Sequence, residues 1–287
     1  MAKEPLLKKL AKELLGPDIA NKVLKRIEII GDIAIIRKPF DIELDILKPL
    51  AEELINRIKY IKSVWAASSP VRGMHRVREY VHLAGERKSE TIYREHGCVF
   101  KLDITKVYIS PVLSYDHIRI ARSIRNGENV LNMFAGIGGY TIIISRYSKP
   151  CYVLSIDINT YAIKYLKENI ELNKVGNINE VILGEAITVT SSLKPFFDRV
   201  LIPLPELARA SVPKAVEVLK PCGWIHPHIF VNALNKREAI LIAIKDIESI
   251  LRYCNVRYDF TNSHVIRSVG PRRYHVVLDI RIEKKFR

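Results

Sequence analysis

The sequence predicts an α/β protein whose parallel sheet is covered by helices on both faces, preceded by a smaller α+β domain. After about residue 110, short apolar runs alternate with amphipathic runs, which is typical of strands joined by helical crossovers. The earlier part also holds strand-like runs, but without that regular alternation. A chain of 287 residues can form two unequal domains, and we place them at residues 1–109 and 110–287.

The first domain is expected to contain a hairpin, a helix and several short strands. Residues 25–37 form two apolar runs broken at Gly31-Asp32, which predicts a hairpin. Apolar residues at helical spacing predict a helix over residues 45–61. Runs rich in β-branched and aromatic residues predict strands at 80–83, 91–95 and 99–102.

In the second domain, the same reasoning predicts alternating strands and helices. The strands are expected at residues 129–134, 152–156, 181–183 and 199–202. The helices are expected at residues 117–125, 138–147, 162–173, 207–219 and 236–252. Two late strands, at 255–258 and 275–282, close the sheet, and an antiparallel last strand suits this hairpin-like pair.

Composition narrows the class of protein. Lys and Arg outnumber Asp and Glu by 46 to 31, a net charge of +15 that favours a polyanionic partner, although a merely basic protein is the alternative. The four cysteines are scattered without a Cys-x-x-Cys pair, which disfavours a zinc ribbon. No stretch approaches the ~20 apolar residues of a membrane span. The N-terminal residues predict an amphipathic helix instead of a signal peptide, so we expect a cytoplasmic protein.

The most informative segment is a glycine turn between an apolar strand and a helix. It reads Val-Leu-Asn-Met-Phe-Ala-Gly-Ile-Gly-Gly-Tyr from Val130 to Tyr140. Glycines there let the backbone approach a ligand closely and adopt dihedral angles closed to other residues. We expect this turn to bind a cofactor through Phe134, Ala135, Gly136 and Gly138.

Two acidic residues follow at later strand ends. Asp157, with Ile158 beside it, lies about 20 residues after the glycines, where a carboxylate accepts hydrogen bonds from ribose hydroxyls. Glu185 follows the next strand and is expected to bind the adenine edge. This order indicates an adenosyl ligand. The turn lacks the third glycine of G-x-G-x-x-G, so S-adenosylmethionine is favoured over a dinucleotide, and a ligand-free turn is the remaining alternative.

Several segments resemble the archaeal and eukaryotic tRNA (guanine-37-N1) methyltransferases. The matching segments are Phe-Ala-Gly-Ile-Gly at 134–138, Asp-Ile-Asn at 157–159, and residues 168–174, 76–79, 83–86, 90–97, 107–111 and 274–279. The resemblance covers nearly all of the chain after about residue 25. It implies a Rossmann-type methyltransferase sheet, S-adenosylmethionine as the cofactor, and methyl transfer to guanine or a wyosine precursor at position 37 of tRNA.

Two departures from the family pattern leave the acceptor open. Val112 stands where the methyltransferases usually have an arginine that contacts guanine. Pro203-Leu204-Pro205 replaces the usual Asn-Leu-Pro, and is similar to an archaeal subgroup that also methylates a wyosine precursor.

The same departures keep two alternatives open. A sister family in the wyosine pathway transfers the aminocarboxypropyl group, and residues 132–138 and 147–150 are similar to it as well. A catalytically impaired tRNA-binding homologue is the other alternative, which the intact glycine turn and Asp157 disfavour.

The chemistry expected of the site requires a base. Methyl transfer to guanine N1 needs the N1 proton removed, and a positioned carboxylate can accept it. Asp116 and Glu206 are the main candidates, with Glu185 as a further one, although Asp116 can instead cap the helix that follows it. Pro205 is expected to shape the loop below the target base, and Pro203 to contact the cofactor.

Arginine clusters are expected to bind the tRNA backbone. The candidates are Arg72, Arg76, Arg78, Arg119, Arg272 and Arg273. His226 and His228, two residues apart, suggest a metal site, but no third ligand lies near them in sequence, so a strand end near the pocket is preferred. We therefore expect tRNA as the partner of a monomer, without a metal ion and without a membrane.

Overall fold

The computed structural model describes residues 4–69 and 78–285 and divides the chain into two units, Met1–Ile109 and Ser110–Arg287. In the described ranges, no helix is both long and apolar enough to cross a bilayer. Arg72 and Arg76, two of the arginines expected to bind RNA, lie outside the described residues.

The first unit combines two helices with short strands in its described part. The helices are α1 (Leu6–Lys22) and α2 (Lys48–Arg57), and the strands are β1 (Glu28–Ile30), β2 (Ile33–Arg37), β3 (Ser63–Ala67), β4 (Tyr80–Gly85), β5 (Glu90–Glu95) and β6 (Cys98–Asp103). Strands β1 to β4 form one sheet in chain order, and β5 pairs with β6.

The predicted hairpin of the first unit is confirmed. Ile30 pairs with Ile33 across a turn at Gly31, whose φ of 58° favours glycine. Leu50 and Leu54 on α2 pack with Leu10 of α1 and with strand residues such as Val64. The predicted helix over 45–61 is shorter as observed, because a 3₁₀ turn precedes it.

The second unit is a sheet with helical crossovers. Its strands are β7 (Asn129–Asn132), β8 (Tyr152–Asp157), β9 (Asn179–Leu183), β10 (Phe197–Ile202), β11 (Leu219–Asn232), β12 (Val256–Gly270) and β13 (Arg273–Lys284). Its helices are α3 (Ser114–Ser123), α4 (Gly139–Tyr147), α5 (Thr160–Leu172), α6 (Ala186–Ser191), α7 (Ala208–Val218) and α8 (Lys236–Leu251).

The sheet order confirms the predicted Rossmann-type fold. Within the described residues the order is β12-β13-β11-β10-β7-β8-β9, and β7 to β11 pair in parallel. Strand β13 lies antiparallel to β11, and β12 antiparallel to β13. Strand β12 is much longer than predicted, and β13 extends two residues beyond the prediction at each end. Polar residues in the middle of β12, among them Asn262 and Ser263, have low strand propensity, so the sequence pattern does not predict the full length of the strand.

The two faces of this sheet differ in polarity. One face packs Val200, Ile225 and Leu278 against α7 and α8 in an apolar core. Because side chains alternate along a strand, the neighbours of these residues point to the opposite face. There, His226 and Asp279 are buried. Arg119 of α3 pairs with Asp279 on this face, so part of the candidate site lies between α3 and the sheet.

Candidate active site

The glycine turn has the geometry expected of a ligand-binding loop. Gly136 has φ 55° and Gly138 has φ 100°, a region of backbone space that L side chains rarely adopt. The φ of Gly138 makes any other residue strained there, and an added Cβ would also lie 2.5 Å from Leu166 Cδ1. Phe134 is half-buried and Ala135 buried. At the ends of the strands, this loop therefore consists mainly of backbone atoms, with few side-chain atoms beside them.

Asp157 ties this turn to the end of β8. Its Oδ2 accepts the Gly136 N–H at 2.7 Å, and its Oδ1 accepts the Asn159 N–H at 2.9 Å. The backbone oxygen of Asp157 accepts the N–H of Gly184 at 3.0 Å, which brings the β9 end to the same place. A carboxylate oxygen can accept more than one hydrogen bond, so these contacts are compatible with a ribose diol.

Glu185 also lies at this edge, where it caps a helix. Its Oε1 accepts the Ile187 N–H at 3.0 Å and its Oε2 accepts the Thr188 N–H at 2.7 Å, at the N-terminus of α6. The structure therefore shows a structural use of this carboxylate, and contact with adenine stays a prediction. The left-handed glycines, Asp157 and Glu185 thus lie together at the carboxyl edge of β7 to β9, where an adenosyl group is expected.

The predicted proline loop lies at the same edge of the sheet. It follows β10, whose last residue Ile202 pairs with Pro227 of β11. Pro203 is half-buried, Pro205 is buried and Glu206 is exposed. The fold thus places this loop and the glycine turn at the ends of neighbouring strands, while the chemical roles of Pro203, Pro205 and Glu206 stay predictions.

Asp116 occupies a buried site in the first turn of α3 and does not cap that helix. It is 1% exposed. Arg119 Nε donates to its Oδ1 at 2.8 Å, and the Tyr140 hydroxyl donates to its Oδ2. His228 Nε2 lies 3.5 Å from Oδ2, and His264 Nε2 lies 3.1 Å from Oδ1.

This environment keeps Asp116 ionised. Burial alone raises the pKa of a carboxyl group, but His228, His264 and the charge of Arg119 outweigh it and hold the pKa of Asp116 well below its usual value. Tyr140 is buried here, with its hydroxyl 3.0 Å from His228 Nε2. Tyr140 thus belongs to the buried interior of this unit.

The polar cluster continues across β10, β11 and β13. Arg119 also donates to both oxygens of Asp279, and His226 Nδ1 lies 2.7 Å from Asp279 Oδ1. Arg199 donates to Glu128 at 2.8 Å and 3.2 Å, and contacts His226 Nε2 at 2.7 Å. Burial lowers the pKa of His226 to about 4, so it is neutral and its Nδ1–H donates to Asp279.

The histidines of β11 therefore serve a buried network. Their spacing of two residues does direct both rings to one face, but their partners come from strands and helices distant in sequence. In the part of the chain that the structure describes, no group of three or more His, Cys, Asp or Glu residues is arranged to hold a metal ion. The sequence argument missed His264 altogether, because a single histidine in a polar strand carries no periodic signal.

The described arginines expected to bind RNA fall into two groups. Arg78 pairs with Glu28 at 3.1 Å and is largely buried, and Arg119 is enclosed between Asp116 and Asp279. Both therefore have a role inside their own units. Arg272 lies on the turn between β12 and β13, and Arg273 begins β13. Both are exposed, and the guanidinium carbon of Arg273 lies 4.8 Å from the Phe230 ring centroid.

Comparison with known proteins supports a common origin with tRNA-modifying enzymes. The model of the TRM5/TYW2 methyltransferase domain matches residues 91–257, and that of the TYW2 N-terminal domain matches residues 7–88. The chain is 39% identical to the tRNA 4-demethylwyosine(37)-methyltransferase Taw21 of Saccharolobus solfataricus, over 90% of this chain and 94% of that protein. It is 34% identical to the tRNA (guanine(37)-N(1))-methyltransferase Trm5b of Pyrococcus abyssi, over 89% and 74%.

A third relative carries a different transferase name. The tRNA(Phe) (4-demethylwyosine(37)-C(7)) aminocarboxypropyltransferase of Methanocaldococcus jannaschii is 31% identical, over 89% of this chain and 97% of that protein.

Solved structures agree with these relatives. The crystal structure of P. abyssi Trm5b superposes with a TM-score of 0.85 at 32% identity, covering 99% of this chain and 82% of that one. The complex of aTrm5 with tRNALeu gives a TM-score of 0.83 at 28% identity, over 98% and 79%. M. jannaschii TYW2 in complex with AdoMet gives 0.66 at 28% identity, over 91% and 100%. With more than half of its length matched by the domain model, this chain belongs to the TRM5/TYW2 methyltransferase family.

Proposed function

We propose that this protein is an S-adenosylmethionine-dependent methyltransferase that modifies the nucleotide at position 37 of tRNA, either guanine or a wyosine precursor. The observation that carries the proposal is the glycine turn held by Asp157 at the sheet edge, in a chain of this family. The relatives named for methyl transfer at position 37 support the same reaction class. When bound, S-adenosylmethionine supplies an electrophilic methyl group on its sulfonium.

Different residues at the strand ends bind the cofactor and the acceptor base. The main chain around Gly136 accommodates the adenosyl group closely, and Asp157 and Ile158 hold its ribose, with Glu185 and Pro203 alongside. Pro205 and Glu206 then border the acceptor at the end of β10. A wyosine precursor is the acceptor we favour, because Pro203 and Val112 replace the polar residues that the guanine-specific pattern carries, and Taw21 is named for that substrate.

A second candidate function is transfer of the aminocarboxypropyl group to the same nucleotide. It is favoured by the 31% identical aminocarboxypropyltransferase and by the match to the TYW2 N-terminal domain. The two reactions use the same cofactor and differ in which carbon next to sulfur is attacked. A homologue that binds tRNA without catalysis is the third candidate. The glycine turn and Asp157, both intact at the sheet edge, argue against it.

Labelled cofactor separates these candidates. We expect carbon-14 from the methyl group to enter tRNA, and the modified nucleoside to gain about 14 Da, the mass of one methyl group replacing hydrogen. The assay incubates the full chain with tRNA that carries either guanosine or 4-demethylwyosine at position 37, and analyses nucleosides by mass spectrometry. Label from the carboxyl carbon entering the RNA would instead identify the aminocarboxypropyltransferase, and no label from either position would identify the binding homologue.

We further propose that the chain binds tRNA electrostatically, so that its affinity falls steeply with salt. The net charge of +15 predicts a log–log slope equivalent to several neutralised phosphates. Arg272 and Arg273 lie at the sheet edge that carries the glycine turn, because Arg273 pairs with the last residue of the parallel strand β11, Asn232. Replacing both arginines with Gln is expected to reduce the slope by about 1–2.

Fluorescence anisotropy with labelled tRNA at 50–300 mM potassium chloride, roughly the range over which counterion release is resolved, measures this slope. Arg252→Gln is the matched control, since exposed Arg252 follows α8 at the opposite edge, where Val256 pairs with Lys284. An unchanged slope in the double variant would remove Arg272 and Arg273 from the tRNA interface.

A further inference from the structure

His264 lies in the same row of the sheet as the proposed acceptor loop. It pairs with Val277 of β13, which pairs in turn with His228 of β11. His228 follows Pro227, the partner of the last β10 residue, so the row continues to Pro203. The loop proposed to border the acceptor and His264 are thus at one level of the sheet, on the edge where parallel strands end.

The ring of His264 connects a buried carboxylate with the protein surface. Its side chain is 26% exposed, whereas Asp116, its nearest polar neighbour, is 1% exposed. Nε2 is buried and points to Asp116 Oδ1 at 3.1 Å, at an angle short of a formed hydrogen bond. Such bonds often tighten only when substrate is present. The opposite edge of the ring, with Nδ1, is the part open to a ligand.

Tyr115 and the turn that precedes α3 have the chemistry of an acceptor pocket. Tyr115 contacts the histidine edge-on, with ring centroids 6.3 Å apart, and is itself 70% exposed, so its face can stack on a nucleobase. The 3₁₀ turn Pro111–Leu113 packs beside β12. This turn contains Val112, the position at which the family resemblance places contact with the target base.

We propose that His264 and Asp116 form a catalytic dyad in which His264 accepts the proton that the tRNA base loses on modification. Asp116 orients the ring through Nε2 and stabilises the imidazolium, as a buried carboxylate does for the histidine of a hydrolase triad. This proposal rests on the proposed function. In this pair Asp116, which is 1% exposed, positions His264 and does not itself contact the acceptor.

The proton balance is the same for each candidate acceptor. A ring nitrogen or carbon forms one new bond to the transferred carbon, whose bond to the sulfonium sulfur breaks with the electron pair left on sulfur. The ring loses one hydrogen as a proton, and the electron pair of that bond stays on the ring. That proton forms a new N–H bond at His264 Nδ1, while the Nε2–H donates to Asp116. Water then removes the proton from the exposed edge of the ring. The acceptor leaves neutral, and the neutral imidazole is restored.

The buried cluster beside His264 holds more carboxylates than guanidiniums. Three carboxylates of the described cluster face two guanidiniums, which leaves one negative charge for a cation to balance. The members are Asp116, Asp279 and Glu128 against Arg119 and Arg199. The other titratable groups around the pair are Tyr115 and His117 on α3, Tyr140 on α4, His228 on β11 and His275 on β13.

The test compares single-turnover rates of His264→Gln with those of the wild-type chain, so that product release does not hide the chemical step. We expect the rate to fall by about 10²–10⁴-fold, and the rise of the wild-type rate between about pH 5 and 8 to flatten. Affinities for tRNA and for S-adenosylmethionine should stay within about twofold, since the change removes proton transfer and leaves binding surfaces in place. Ser263→Ala, on the other face of the same strand, is the matched control and should keep the wild-type rate and pH profile.

Chemical rescue distinguishes a proton acceptor from a structural histidine. Added imidazole is expected to restore part of the rate of His264→Ala, because the removed ring is partly exposed, and to leave Ser263→Ala unaffected. A wild-type rate and pH profile in His264→Gln overturn the dyad. So does a rate loss in His264→Ala that comes with a lowered melting temperature and no response to imidazole. Entry of the aminocarboxypropyl label overturns the proposed methyl transfer alone, since the dyad is still tested by that rate. A wild-type chain that transfers neither group overturns both.

Discussion

Replacing Asp157 with Ala is expected to weaken S-adenosylmethionine binding by about 2–4 kcal/mol, which corresponds to about 30- to 1000-fold in Kd. Two effects act in the same direction. The ribose loses a charged acceptor, and the glycine turn loses the carboxylate that holds the N–H of Gly136 at 2.7 Å. Isothermal titration calorimetry with S-adenosylmethionine and its demethylated product measures the change.

The control is Glu180→Ala on the neighbouring strand β9. Glu180 is exposed and accepts from the Tyr152 hydroxyl, away from the carboxyl edge. Asp157→Asn should fall between the two, because an amide oxygen still accepts one backbone hydrogen bond but carries no charge. Cofactor affinity unchanged in Asp157→Ala would show that the adenosyl group does not bind at this edge, even if the protein proves to be a methyltransferase.

Replacing Asp279 with Ala is expected to destabilise the second unit by about 3–5 kcal/mol and to lower Tm by on the order of 10 °C. Asp279 pairs with Arg119 and accepts from His226 at 2.7 Å, both in a buried setting. The variant leaves the Arg119 guanidinium with Asp116 alone, and leaves a buried imidazole N–H without its acceptor. Each of these groups then bears a desolvation cost that the folded state no longer offsets.

Calorimetry and urea unfolding of Asp279→Ala and Asp246→Ala form the comparison. Asp246 pairs with Arg209 on the surface, where an ion pair contributes about 0–1 kcal/mol. The pKa of Asp279 is lowered in the folded state: burial opposes this, but His226 and Arg119 outweigh it. Because the folded pKa lies below the unfolded value, this stability is present above the unfolded pKa and is lost as pH falls through the folded pKa. The difference between the two variants should therefore begin to shrink below about pH 4. Equal stabilities at pH 7 would contradict the prediction.

The resemblance to the sister transferases illustrates what a local sequence cannot decide. The chain is similar both to a relative named for methyl transfer and to one named for aminocarboxypropyl transfer. The difference between these reactions lies in how the methionine part of the cofactor is turned against the acceptor. That orientation depends on side chains from several elements at once, which is why the label experiment is needed.

The amino-acid sequence by itself determined the parallel sheet with its crossovers, the glycine turn and the acid at the end of β8. These features depend on short-range physics: periodic burial, the dihedral freedom of Gly136 and Gly138, and the fixed spacing from one strand end to the next. Only the tertiary structure decided what surrounds Asp116. His228 and His264 reach it from β11 and β12, more than one hundred residues further along the chain. Such contacts depend on sheet order and strand register, to which a single polar residue in the sequence contributes no recognisable pattern.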